Sequence, residues 1–442
     1  MKTLRSLYLS RRFFVLLGAI SAVFFISHYY ILLYAGAKIS LICLIAFLSI
    51  DIFIIFKKDK IRAERKTPEK LSNGDDNFIQ IRIENKYPFT VNAVITDELP
   101  VKFQERNFEK KLVLRSSEKA VADYTVKPVK RGEYWFGALN IFIFSPIGLV
   151  SKRYKIQNDI MVPVYPSFIQ MRKYELFAAS NRLDELGIKK NRRIGHTLEF
   201  EHIKNYVKGD DYRTINWKAT ARKNSIMVNL YQDEKSQQVY CAIDMGRVMQ
   251  MSFEGMTLLD YAINTSLVLS NIAVNKKDKA GIITFSKEIH NLLPAESKYT
   301  HIQKILEVLY NQETTFPESS IERLCAVLNH KITQRSLVVL FTNFESVSAL
   351  KRQMFYLRKL AQKHLLLVVF FENTELKKIT DSEAKNITQI YNKTIAEKFA
   401  FEKRQILIEL KRYGILSILS SPEELSINTI NKYLELKTIG KL

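Results

Sequence analysis

From Phe13 to Phe56 the chain is almost wholly apolar, and this block constrains the rest more than any other feature. It divides into FFVLLGAISAVFFISHYYILLY (Phe13–Tyr34) and ISLICLIAFLSIDIFIIF (Ile39–Phe56), with AGAK between them. Each run is close to the ~20 residues an α-helix needs to cross a bilayer, so the pair reads as a transmembrane helical hairpin over 1–57. Gly18, Ala19, Ser21 and Ala22 would let the two helices approach closely. Both outer flanks are basic, with Lys2, Arg5, Arg11 and Arg12 before the block and Lys57, Lys58, Lys60, Arg62, Arg65 and Lys66 after it. The connecting turn carries only Lys38, so the positive-inside rule puts both flanks in the cytoplasm. A secretory signal followed by one anchor is disfavoured, because no small-residue cleavage site precedes the second run. Asp51, late in the second run, is expected at headgroup level.

The chain of 442 residues has room for about three domains. Its three cysteines, Cys43, Cys241 and Cys325, lie far apart in apolar stretches, which suggests neither a disulfide framework nor a zinc site. Lys and Arg outnumber Asp and Glu by 67 to 45, a net charge of +22. Such a surface attracts anionic lipid and nucleic acid alike. A permanently tethered cytoplasmic body favours the lipid.

Residues 58–75 read as a basic linker. Over 76–165 short alternating runs such as FIQIRIEN, separated by Asn, Pro and Gly, predict an antiparallel β-sandwich. A connecting segment, 166–235, contains the stretch GDDYRTINWKATAR. From 236 to 442 apolar strands (QQVYCAIDM, KAGIITFS, SLVVLFTN, LLLVVFFE, GILSILS) alternate with helices, which predicts an α/β doubly wound domain. Its last helix is expected to open with a capping box on Ser421 and Glu424. In such a sheet ligands bind beyond the carboxyl ends of the strands, where the order reverses. That singles out Asp244 and the pair Thr342–Asn343.

The run EFEHIKNYVKGDDYRTINWKATARKNSIMV, followed by a strand ending in DMGR, resembles the domain-of-unknown-function 58 (DUF 58) family of bacteria and archaea. KRGEYWFG, SPIGL and the ending YLELKTIGKL are similar too, with Ser145 standing where that family has aspartate. The resemblance implies a von Willebrand factor A-like α/β domain on a bacterial inner-membrane protein. It also implies association with MoxR-type AAA+ ATPases, no established catalytic activity, and a signature set of Tyr206, Gly209, Asp210, Asp211, Arg213, Asn216, Trp217, Ala221 and Arg222. The A-like metal site uses Asp-x-Ser-x-Ser, a threonine and a second aspartate. Here Gly246 and Val248 replace the serines, and Asn343 stands for the aspartate. Magnesium or calcium at Asp244 and Asn343 is therefore expected to be lost or weak, because a hard cation wants several oxygen ligands.

Asp210 and Asp211 admit two readings. As paired carboxylates they would suit acid–base work in a hydrolase, together with Asp244. As structure, one caps a short helix near Tyr212, Arg213 and Arg222 pair with the carboxylates, and Trp217 buries its ring. Nothing supplies a nucleophile or a matched base, so structure or partner docking is preferred. His196, Glu199, Glu201 and His202 match no metal-binding helix spacing. No phosphate loop, dinucleotide fingerprint or nucleophile elbow occurs, and nucleic-acid binding has only the charge in its favour. The expectation is a membrane-anchored adaptor without cofactor, working with a MoxR-type ATPase. A hydrolase and a nucleic-acid-binding protein stand as the rivals.

Overall fold

The computed structural model describes residues 6–27, 31–57, 60–104, 108–156, 159–179, 199–208, 210–232, 236–384 and 386–442. They fall into two compact units, Met1–Val164 and Tyr165–Leu442.

The first unit opens with β1 (Leu7–Leu9), α1 (Arg11–Ile26) and α2 (Ile31–Phe56). The strands β2 (Ile61–Lys66), β3 (Leu71–Ser72), β4 (Asn77–Asn85), β5 (Val91–Asp97), β6 (Lys110–Leu114) and β7 (Lys119–Val126) follow. The unit closes with β8 (Gly132–Phe136), β9 (Leu139–Phe144), β10 (Val150–Ile156) and β11 (Ile160–Tyr165). They form sheets ordered β1-β10-β9-β5-β6, β2-β4-β7 and β3-β11-β8. The first two are antiparallel throughout. One apolar core is shared by all three: Ile79 and Ile81 from β4, Ile95 and Ile141 from β5 and β9, Tyr134 and Val162 from β8 and β11. Period-two alternation makes these strands, since β4 buries Asn77, Ile79, Ile81, Ile83 and Asn85 and turns the residues between them outward.

The stretch expected as a linker, 58–75, instead contributes β2 and β3. Charge hid β2: IRAERK has alternate residues inward, but one of them is Arg65. Its guanidinium pairs with Asp97 at 2.5 Å, with both side chains fully buried. It also donates to the Gly137 carbonyl at 3.1 Å, and the Tyr124 hydroxyl donates to the second Asp97 oxygen at 2.5 Å.

Helices α1 and α2 share an apolar seam of Phe13, Leu17 and Ile20 against Leu44, Leu48 and Ile52, spaced three or four apart. Among the described residues one helix, Leu33–Phe56, is long and apolar enough to cross a membrane, while α1 has 16 residues. Ser10 caps α1, and its hydroxyl reaches the Gly148 carbonyl at 2.5 Å. Asp51 on α2 is a buried acceptor: one oxygen receives the Ser145 hydroxyl at 2.7 Å and the amides of Leu149 and Val150 at 3.0 Å each. It organises the SPIGLV loop.

In the second unit, α3 (Phe168–Ala179), β12 (Glu199–Asn205), α4 (Trp217–Lys223) and β13 (Met227–Gln232) lead into β14 (Gln238–Asp244). A two-residue ribbon, β15 (Ser252–Phe253) and β16 (Met256–Thr257), precedes α5 (Leu258–Asn275). Then come β17 (Lys279–Phe285), β18 (Ile289–Glu296), α6 (Tyr299–Tyr310), α7 (Ile321–Lys331), β19 (Leu337–Phe341), α8 (Val347–Lys363) and β20 (Leu365–Phe371). The last elements are α9 (Thr374–Asp381), α10 (Ile387–Arg412), β21 (Leu416–Ser420) and α11 (Leu425–Thr438).

Six strands make one sheet, β18-β17-β14-β19-β20-β21, parallel except for β18. Helices α3, α5, α6 and α11 cover one face and α7, α8 and α10 the other, so the domain is doubly wound as expected. Helix α5 is buried on nearly every side and starts at a capping box between Thr257 and Asp260. The box expected at Ser421 does not form: α11 begins at Leu425, after a turn in which the Leu425 amide reaches the Pro422 carbonyl.

Candidate functional site

The sheet order reverses between β14 and β19, because the chain builds β17 and β18 on one side of β14 and then crosses to the other. Beyond the carboxyl ends of these strands sits Asp244, 1% exposed. One of its oxygens accepts from the Ser319 hydroxyl at 2.5 Å and the Gly246 amide at 2.8 Å; the other accepts from Thr342 at 2.6 Å. Burial pushes its carboxyl above the ordinary range, while the three donors pull it down. Glycine at 246 is a steric requirement: an added Cβ would lie 1.8 Å from the Ser319 hydroxyl and 2.8 Å from the Pro317 carbonyl. Ser319 thus fills the volume that a side chain at 246 would need.

Asn343 is buried and also engaged. Its amide group contacts the Val248 carbonyl at 3.4 Å, and its side-chain oxygen accepts from the Lys403 ammonium at 2.5 Å. Burial lowers the Lys403 ammonium to about 8, and Glu345 acts against that shift. The donor set fits a resident divalent ion poorly. It offers one carboxylate, already holding three hydrogen bonds, and an amide oxygen held by a cation. Among the described residues no three His, Cys, Asp or Glu side chains gather into a metal-sized cluster. Magnesium or calcium at a few millimolar is therefore expected to leave the melting temperature unchanged, as a thermal scan would show. A shift abolished by Asp244→Asn would overturn this.

The GDD stretch folds as a separate small module on the antiparallel ribbon β12–β13. Gly209 lies outside the described residues. Asp210 accepts from the Val207 amide and from Lys204 Nζ, both at 2.9 Å, and these bonds, with Lys204 first, hold its carboxyl below the ordinary range. Asp211 caps a 3-10 turn, Tyr212–Thr214, by accepting from the Arg213 amide at 2.9 Å. Asn216 caps α4 through the Ala219 amide and donates to Asn229 at 2.8 Å. Thr220 accepts the Met227 amide at 3.0 Å, tying the helix to β13.

The expected cap at Asp211 is therefore present, but two other details differ. Asp210 pairs with Lys204, and no ion pair joins Arg213 or Arg222 to either aspartate among the described residues. Trp217 is not buried: it is 72% exposed, and Tyr212 is 69% exposed. The Arg213 guanidinium lies 5.7 Å from the Tyr212 ring centre. Tyr206 is also exposed, and Ala221 and Arg222 lie on α4.

Of the other candidate ligands, His196 lies outside the described residues. Glu199, Glu201 and His202 lie on β12, with a register shift between Phe200 and His202. Sequence reading missed Ser319 and Lys403. Neither belongs to a motif, and each reaches the strand ends from a distant part of the chain.

Residues 202–405 match the family described as "Protein of unknown function DUF58". The matched span takes in most of the GDD module, Asp244, Ser319, Asn343 and Lys403. The "Uncharacterized protein YeaD" of Bacillus subtilis (strain 168) is 25% identical over 248 residues, covering 54% of this chain and 59% of that protein's own length. Among solved structures, the conserved hypothetical protein BatB from Bacteroides thetaiotaomicron aligns with 46% of this chain and 99% of its own, at 14% identity and a TM-score of 0.28. An aerotolerance-related membrane protein from Bacteroides fragilis NCTC 9343 aligns with 47% and 100%, at 14% identity and a TM-score of 0.27.

Proposed function

We propose that the chain is a membrane-anchored adaptor. Its α1–α2 pair is a transmembrane hairpin in a bacterial inner membrane, and its sandwich and von Willebrand factor A-like domain stand in the cytoplasm. Its partner is a MoxR-type AAA+ ATPase, with which it assembles or remodels membrane complexes.

The observation that carries the docking role is the exposure of Tyr212 and Trp217 on a module whose Asp210, Asp211 and Asn216 side chains hold its own turns. Trp, Tyr and Arg dominate interface energetics, and a rigid mount spares the entropy of ordering them on binding. The hairpin draws support from β1. This strand pairs with β10, and β2 pairs with β4, so the chain leaves the sandwich before α1 and returns to it after α2. An even number of crossings is what such a path requires. The A-like assignment draws support from the strand order and the single antiparallel strand β18.

The hydrolase rival loses ground here, because Asp210 is held by Lys204, Asp211 is a cap, and Asp244 already holds three hydrogen bonds. Trp217→Ala is expected to weaken ATPase capture about 30-fold, a hot-spot loss of ~2 kcal/mol, with an unchanged melting temperature. Quantitative co-purification from membranes reads this. An ATPase that is never enriched, or is enriched equally by the variant, would remove the proposal.

A further inference from the structure

A cavity of about 440 Å³ opens beyond the carboxyl ends of β20 and β21, beside the switch point. Phe253, Leu258, Phe371, Phe399 and Leu419 give it an apolar wall, and the charged side chains Glu372, Lys377, Asp381 and Arg404 line it as well. The first three are buried and belong to the domain core. Into this space the long α10 sends Lys403, half-buried, together with Asn343 from the end of β19.

Lys403 makes one hydrogen bond, to Asn343, and its ammonium lies 5.6 Å from the Phe370 ring centre. Among the described residues no carboxylate lies within ion-pair distance of it. The lining carboxylates Glu345, Glu372 and Asp381 make no ion pair with it, and the exposed Glu345 acts only through its field. An ammonium has three N–H donors, and two are left here in largely apolar surroundings. A charge drawn out of water without a counter-charge is costly. The usual form of a ligand pocket is an apolar cavity of roughly 300–1,000 Å³ with a few converging polar groups.

We propose that this cavity binds a carboxylate with an apolar body: the carboxylate pairs with Lys403 and the body packs on Phe253, Phe371 and Phe399. The site is separate from the Trp217 face, and the proposal does not depend on the adaptor reading. The acid has two sources that share this chemistry, a free small organic acid and the apolar carboxyl-terminal residue of a peptide.

The test uses the full-length chain in detergent-free nanodiscs. The probes are 3-phenylpropionate, its neutral amide, and the tripeptide Ala-Ala-Phe as free acid and as amide. Calorimetry measures affinity, and mass spectrometry follows the rate at which an N-hydroxysuccinimide ester acylates Lys403. The free acids are expected to bind at least about tenfold more tightly than their amides, and to slow acylation of Lys403 by a similar factor. Lys403→Met is expected to abolish the preference for acid over amide.

Binding of the small acid identifies a free metabolite as the ligand class, and binding of the peptide acid alone identifies a chain end. Equal binding of acid and amide, or a preference that survives in Lys403→Met, would overturn the proposal. So would an acylation rate on the unmodified protein that neither acid alters at millimolar concentration, a readout that needs no variant to fold.

Discussion

Asp51→Ala is expected to loosen the SPIGLV loop by roughly 3–9 kcal/mol, because it strands three buried donors at about 1–3 kcal/mol each. Those donors are the Ser145 hydroxyl and the amides of Leu149 and Val150, all converging on a single carboxylate oxygen. The loss is local, so hydrogen exchange at Leu149 and Val150 reads it better than global unfolding. Asp51→Asn keeps an acceptor oxygen and is expected to lose about half as much. If exchange at both amides is unchanged in the alanine variant, Asp51 does not organise the loop.

Arg65→Met is the second large effect. It removes the partner of Asp97 while leaving the carboxylate sealed in the sandwich with only Tyr124, a change expected to cost roughly 3–5 kcal/mol. Burial already pushes the Asp97 carboxyl above its ordinary range, with Arg65 as the main opposing influence. The double variant Arg65→Met with Asp97→Leu replaces the pair by apolar volume and is expected to recover most of the loss. A double-mutant cycle on urea unfolding checks both statements. Additive single effects would mean that the two side chains do not act as a unit.

Much of this architecture is legible in the sequence, for physical reasons that differ by region. The strands β14, β19 and β20 are short, continuously apolar and buried on both faces, a pattern hard to mistake. The apolar block of α2 declares itself by length. Failures cluster where a polar residue does core work. In β2, Arg65 occupies an inward position, so a strand reads as a charged linker. In α2, Asp51 resembles an intruder because its partners lie about a hundred residues away in the sandwich, beyond any pattern-reading window. At the candidate site, the apolar strands lead directly to Asp244 and Asn343 at their carboxyl ends. Their partners Ser319 and Lys403 are brought in by α7's approach loop and by α10, and no spacing rule links them. Trp217 shows the reverse error: a tryptophan in a dense polar stretch invites burial, yet α4 is too short to reach a core and leaves it outside.

The pairing of β1 with β10 also sets a timetable. Leu9 is synthesised long before Val150, its partner. At about 5–20 residues per second, the first strand waits on the order of ten seconds for the edge it must complete. During that interval the apolar helices have emerged while the five-stranded sheet is still unmade. A chain in which Leu7–Leu9 fails to reach β10 keeps β10 as an open edge, ready to pair with a neighbouring chain. The first strand to be made is therefore the one that closes this edge of the sheet.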